Sequence, residues 1–429
     1  MQLPIYIIVL MHINIYAIEY PDFNIIINDD AYPEDIFIHS SAPSLTQFMA
    51  ILDPSLEVKW YIVSLEGRGW DFKVNNNDKI TYFRKPSDTG WTPSGGGEWY
   101  VMDRNMHNTD TLSCVNGFDC DYHDIQYTQD GGYILQAYGK EEIDMHQTEV
   151  IDTANILILQ EFDENHNLIM EWKNSDHMDI QNYADNLALG STYRNWMHGN
   201  SLEVDFDGNI FVSNRAMSEI IKFDRQSGEI IWRLGGPMND FTFIDDPLNG
   251  LNKQHDARRL HNGNIMIFDN GNSRFPPLTR VVEYDIDEQQ MTATLVWSYS
   301  HPEGYVSLNQ GCAQRLENQN TLISWGGVAG HGQLITEVDY SGNRVMEIEF
   351  PDNHHSYKVR KSDWEFDINL IEGDINLDEN IDVMDVIAIV NLILSEEQPS
   401  PFHLYKSDLN KDASVDVTDV TNLVLNLIL

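Results

Sequence analysis

His198 and Asn200 in MHGNS, Arg215 in SNR and His255 in QHDA fall at the starts and ends of strands in one internal repeat, and His123 in YHDIQY heads another copy. Any β-former satisfies a strand head, so a scaffold repeat has no need of imidazole there. The recurrence predicts several side chains aimed at one central point, with His198 and His255 at corresponding positions of successive copies. Imidazole can serve there as a nucleophile, a proton carrier or a metal ligand, and a guanidinium holds an anion through its planar fork. A lone strand-head histidine is usually structural. Three at equivalent repeat positions beside an arginine reverse those odds. His107, His146, His166, His177, His301, His331, His354 and His355 stay on the structural side, His331 least securely because it sits in the glycine-rich GGVAGHGQ. Asp256 and Asp269 are read as turn residues or supports.

The elements that must carry these groups are legible from the repeat, whose period of about 40–75 residues points to a propeller or solenoid. Its unit is a strand, a DGN or NGN turn, a β-rich strand, a strand ending in Asp, and a strand ending in Trp. Such turns between alternating apolar residues are strong hairpin signals. Four clear units plus the N-terminal strands give six blades, an all-β six-bladed β-propeller over residues 30–365. Trp60, Trp172, Trp232 and Trp297 recur in the fourth strand and are read as packing between blades. Ring closure requires YKVRKSDWEF to meet DIFIHS.

Acids number 68 against 26 bases, a net charge of −42. This excludes a nucleic-acid backbone as partner and means that an anion site must be positive against an adverse field. The first residues, 1–17, hold an apolar run ending at Ala17 that is expected to be a cleaved signal peptide, although no base precedes it. No later run is long enough to cross a bilayer. Cys114 and Cys120 flank a loop that one local bridge could close, which leaves Cys312 free and buried. Neither a G-x-S-x-G elbow nor a G-x-x-x-x-G-K-[ST] loop occurs, which disfavours serine hydrolysis and P-loop nucleotide binding.

Composition changes after Asp367. Two copies of a loop-helix unit fill residues 373–429, a small α-helical domain. Asp374, Asn376, Asp378, Asp382 and Asp385 fall at positions 1, 3, 5, 9 and 12 of a calcium loop, with Asn380 at position 7. Asp408, Asn410, Asp412, Asp416 and Asp419 repeat the spacing, with Ser414 at position 7. Oxygen ligands at alternating positions closed by a carboxylate suit Ca²⁺. The tail resembles a type I dockerin, which implies docking to a cohesin-like partner; an anchoring appendage that never meets one is the alternative. The usual glycine at position 6 is replaced by Glu379 and Ala413, which must make the turn at some conformational cost.

MHGNS, SNR, RLGG and QHDA together resemble the bacterial arylsulfotransferase family over most of residues 30–350, most specifically from His198 to Gly271. The resemblance implies an aryl-sulfate sulfotransferase with its site in the central channel and no nucleotide sulfate donor. His255 takes the place of the histidine that is transiently sulfated; His123, His198, Asn200 and Arg215 take supporting places, Asn200 against the substrate. An aryl sulfate donor and a phenolic acceptor are the partners implied, with no cofactor in the channel. Blade-like sequence begins by about Ile36, leaving little room for the extra N-terminal β-domain that such enzymes can carry. Two rival readings stay open. His123, His198 and His255 could hold a metal for a hydrolase or lyase, or the propeller could bind a ligand without catalysis.

Overall fold

The computed structural model describes residues 20–40, 47–64, 68–85, 96–143, 151–187, 193–352, 354–367, 370–395 and 399–428. The expected leader and His146 lie outside them. Contacts divide the chain into a unit of residues 21–368 and another that includes 369–429.

The first unit is a propeller of six sheets. From the inner strand outwards, blade 2 runs Arg68–Val74, Ile80–Arg84, Glu98–Met102, Asn108–Leu112. Blade 3 runs Asp119–Tyr127, Tyr133–Ile143, Asp152–Phe162, Leu168–Lys173. Blade 4 runs Gly199–Val204, Ile210–Asn214, Glu219–Phe223, Ile230–Gly235. Blade 5 runs His255–Arg259, Ile265–Asp269, Arg280–Asp287, Thr292–Tyr299, with Thr242–Ile244 outermost. Blade 6 runs Cys312–Arg315, Thr321–Ser324, Gly332–Val338, Arg344–Asp352. Blade 1 joins Asp35–Ser40, Gln47–Leu52 and Val58–Ser64 to Val359–Ser362, which takes its inner position and pairs Lys361 with Ile36. The chain therefore closes its ring by the segments the sequence singled out. Asn24–Asn28 was not expected: it adds an outer strand to blade 6, and its exposed Ile25 and Ile26 carry no hairpin signal.

Local chemistry explains each hairpin. Gly208 and Gly263 sit at φ 81° and 92° in the first turns of blades 4 and 5, each donating its N–H back to the residue three before. A glycine takes that left-handed conformation without steric cost. Blade 6 makes the same turn with Gln319 at φ 73°. Trp60, Trp172 and Trp232 are almost wholly buried and Trp297 nearly so; Trp172 also donates to the Gly228 carbonyl at 3.0 Å.

In the second unit, helices Val383–Leu394 and Val417–Ile428 pack together, with Pro401–Ser407 between them in sequence. Asp382 and Asp385 form a reciprocal cap on the first helix. This satisfies donors that a helix start otherwise leaves open.

Candidate active site

The six inner strands neighbour one another around the channel. Each first hairpin opens on one residue pair: Val74–Ile80, Tyr127–Tyr133, Val204–Ile210 and Arg259–Ile265. Four residues ahead of these stand Trp70, His123, Asn200 and His255. His123 and His255 thus share a place in the repeat. His198 does not: Asn200 takes that place in its blade, and His198 lies two residues earlier, ahead of the strand. A register shift between Gly199 and Ser201 hides this from a motif comparison. Shifts at the same level of blades 2, 3 and 5 bend each strand there, and bulges of this kind re-aim side chains.

His255 is 2% exposed, and its Nδ1 lies 2.7 Å from Asn270 Oδ1. The Asn270 amide nitrogen donates to the Gln310 carbonyl at 2.9 Å and to Ser307 Oγ at 3.0 Å. Its oxygen must therefore accept from His255, so Nδ1 carries the proton and the lone pair is on Nε2. His123 is held the same way, Nδ1 to Asp121 Oδ1 at 2.6 Å. His198 is fixed through its backbone: its N–H donates to Asn214 Oδ1 at 2.9 Å and its carbonyl accepts from the Arg215 N–H at 2.9 Å. The rings of His123 and His198 meet edge to face at 5.2 Å. Tyr357 lies 5.6 Å from His123 and 6.1 Å from His255, ring to ring, with its hydroxyl donating to the Asn200 carbonyl at 2.8 Å.

Burial, reinforced by the Arg215 charge, pushes the His255 imidazole well below its ordinary value. Burial and the neighbouring His123, His255, Arg215 and Lys253 do the same to His198. Both imidazoles are therefore neutral at pH 7. Arg215 donates to the Leu308 carbonyl at 3.1 Å, and Lys253 Nζ to the Ala216 carbonyl at 2.6 Å. Neither cation has a carboxylate partner among the described residues. In a chain this acidic, these two bases leave the surroundings of His198 and His255 locally positive.

Below the histidines lies a belt of buried charge. Lys73 and Arg258 each donate to Asp124 at 2.7 Å. Arg258 reaches Asp256 at 3.0 Å, Arg360 reaches it at 2.7 Å, and Lys358 Nζ stands 3.5 Å from Asp124. Burial alone would raise Asp256; Arg360, Arg258 and Lys358 overcome it and hold the carboxyl well below the usual range. Asp256, read from sequence as a turn or support, ties blade 5 to blade 1 and, through the Ala313 N–H at 3.0 Å, to blade 6. Asp269 supports the blade interior, accepting from Arg280 at 2.9 Å.

Asn200 lies inside the fold. Its side chain is fully buried, donates to the Gln254 carbonyl at 2.8 Å and accepts from the Asp256 N–H at 3.3 Å. It fixes the strand that carries His255. His301 is buried against Glu347 and His177 stacks on Trp172. His331 and His355 line a cavity of about 420 Å³ that Leu308 also borders. Cys114 and Cys120 are disulfide-bonded and Cys312 is buried and free. Asn270, Asp121, Lys253 and Tyr357 escaped the sequence reading. Asn270 had a signal, because it follows its second strand as Arg215 follows the equivalent strand of blade 4.

In the tail, the last carboxylate of each loop folds back to its start. Asp385 Oδ1 accepts from the Ile375 and Asn376 N–H groups, and Asp419 Oδ1 from those of Leu409 and Asn410. Glu379 and Ala413 take φ 64° and 68°, the strained turn their side chains were expected to resist. Burial and the nearby Asp419 and Asp412 carboxylates push Asp408 up to about 7. This all-oxygen donor set, crowded with like charge, fits a hard dication. Among the described residues no three His, Cys, Asp or Glu side chains are grouped to hold a metal, in the channel or elsewhere.

The arylsulfotransferase family model matches residues 24–359, most of the chain. The chain belongs to the arylsulfotransferase family. The type I dockerin domain model matches residues 372–427. The arylsulfate sulfotransferase AssT of Escherichia coli O6:H1 is 23% identical over 392 residues, 71% of this chain and 63% of the relative. The chain thus spans less than two thirds of that protein. Similar solved structures include a Bacteroides caccae protein of unknown function, 11% identical with a TM-score of 0.47 over 76% of this chain and 100% of that one. The periplasmic gluconolactonase PpgL of Pseudomonas aeruginosa is 10% identical with a TM-score of 0.44 over 77% and 99%. Neither likeness bears on activity.

Proposed function

We propose that this arylsulfotransferase moves a sulfuryl group from an aryl sulfate ester to a phenolic acceptor through a sulfohistidine on His255, without a nucleotide donor. The observation that carries the reading is a buried imidazole, its Nε2 lone pair left available by Asn270, beside two cations with no carboxylate partner among the described residues. The Nε2 lone pair attacks sulfur, the sulfur–oxygen bond to the aryl group breaks, and its electron pair leaves on the phenolate oxygen. Arg215 meets charge on the sulfuryl oxygens. His123, entering the cycle as an imidazolium held against the Asp121 carboxylate, gives its other ring proton to the phenolate and regains one from the incoming phenol, which attacks the sulfohistidine and restores His255. His198 completes the donor set.

Mixing the protein with aryl sulfate alone should release one equivalent of phenol and leave a sulfuryl adduct by intact mass. Added acceptor should discharge it. His255→Asn should form no adduct while keeping its fold; an adduct in that variant sinks the assignment.

The tail is proposed to bind calcium through Asp374, Asn376, Asp378, Asn380, Asp382 and Asp385 and through the matching set Asp408, Asn410, Asp412, Ser414, Asp416 and Asp419, and so to present its helices to a cohesin-like partner. Exposed Val383, Met384, Ile387, Leu394, Val417 and Ile428 supply apolar surface for it. A secreted, periplasmic or cell-surface location follows from that role, and the Cys114–Cys120 disulfide suits an oxidising compartment.

A further inference from the structure

Lys253 stands two residues before His255, in the loop that enters the inner strand of blade 5. Its backbone is held in the left-handed region at φ 57°, with its N–H donating to Ser218 Oγ at 3.0 Å. Lysine has no intrinsic preference for that conformation, and such outliers persist only where the surroundings impose them. Here they place the ammonium against the carbonyl of Ala216, the neighbour of Arg215. Other bases nearby, buried Lys73 and half-buried Arg258 and Arg360, each sit on a carboxylate. Lys253 and Arg215 sit on main-chain carbonyls instead, and each carbonyl uses one donor of a group that has several.

We propose that Lys253 is the second cation of the anion site, so that a tetrahedral oxyanion is gripped between its ammonium and the Arg215 guanidinium. Arg215 supplies a fixed fork, Lys253 a compact charge. The pair favours the sulfate end of a substrate over its neutral aromatic end, and it makes free sulfate a competitive ligand of the same place. The role of the site in sulfuryl transfer rests on the reading above; the anion grip does not.

The test is titration of the full-length, calcium-loaded protein with inorganic sulfate by calorimetry, in wild type, Lys253→Met and Lys253→Arg. Sulfate should bind the wild type, bind Lys253→Met at least about tenfold more weakly, and bind Lys253→Arg nearly as well as wild type. Lys253→Gln replaces the methionine variant if that fails to fold. Wild-type protein that ignores sulfate, or a neutral variant that binds it with unchanged affinity, overturns the proposal. Sulfate binding with no turnover of aryl sulfate would instead sink the transfer reading and leave this one standing.

Discussion

At Arg215, charge and geometry separate. Its guanidinium donates to the Leu308 carbonyl at 3.1 Å and has no carboxylate near it among the described residues, so the rest of its planar fork remains for an anion. Lysine would keep the charge and lose the fork. Arg215→Lys should therefore slow transfer by at least about tenfold, the cost of one degraded charge-assisted hydrogen bond, with little change in thermal midpoint. Steady-state kinetics at saturating acceptor checks this, and a wild-type rate would make Arg215 structural. The residues that could be named from sequence were those with unusual chemistry at a strand head: His123, His198, His255 and Arg215. Asn270 is marked only by following its strand as Arg215 does, and Asp121 by nothing in its strand, so only the folded blades show that each fixes an imidazole tautomer.

At the scale of the strand, hairpin turns, periodic tryptophans and the closing segment were readable because they obey local rules of turn chemistry and alternation. The bulge was not. It leaves the HGN and QHDA motifs at different distances from their hairpins, so that His198 looks equivalent to His255 although Asn200, two residues on, holds that place. The charged belt was equally hidden, since Lys73, Asp124, Arg258 and Arg360 lie far apart in sequence and become a network only when the ring closes. Removing one partner from such a network strands the others. Asp256→Asn should destabilise the propeller by about 3 kcal/mol or more, read as a lower urea midpoint at unchanged m. A loss below about 1 kcal/mol would show that Arg258 and Arg360 find other partners.

For the whole molecule, the buried histidines and glutamates set opposite pH dependences. Burial lowers His39 to about 3, and His198 and His255 also lie well below the ordinary imidazole value. Below about pH 6.5 the unfolded chain takes up three protons that the fold refuses, so stability falls by roughly 1.4 kcal/mol per pH unit for each. Glu203 and Glu219 are raised by burial to about 7. From there down to the usual carboxylate value the fold takes up two protons that the unfolded chain does not, which offsets two of the three histidines. Below about pH 4.5 that offset ends, while Asp124, Asp246 and Asp256, all held low by cations, begin to count as well. The thermal midpoint should fall only gently from pH 6.5 to 4.5, by the one histidine left uncompensated, and collapse below. A decline from pH 6.5 to 4.5 as steep as three histidines give would show that the glutamates are ionised in the fold.

All ten tryptophans fall at or before Trp364, so their fluorescence reports residues 21–368 alone. The two twelve-residue helices, Val383–Leu394 and Val417–Ile428, belong to the other unit, so far-ultraviolet helical signal reports the tail. Each loop gathers four aspartates, and a bound dication offsets their mutual repulsion; without it the loops should loosen and the helices with them. Chelation of the full-length protein should therefore remove helical circular dichroism and any binding of a cohesin-like partner, while tryptophan fluorescence and the rate of sulfuryl transfer stay near their starting values. Restored calcium should return the helical signal. If chelation instead stops transfer while the fluorescence is unchanged, a metal acts in the channel, and the three-imidazole metal reading of His123, His198 and His255 displaces the sulfohistidine.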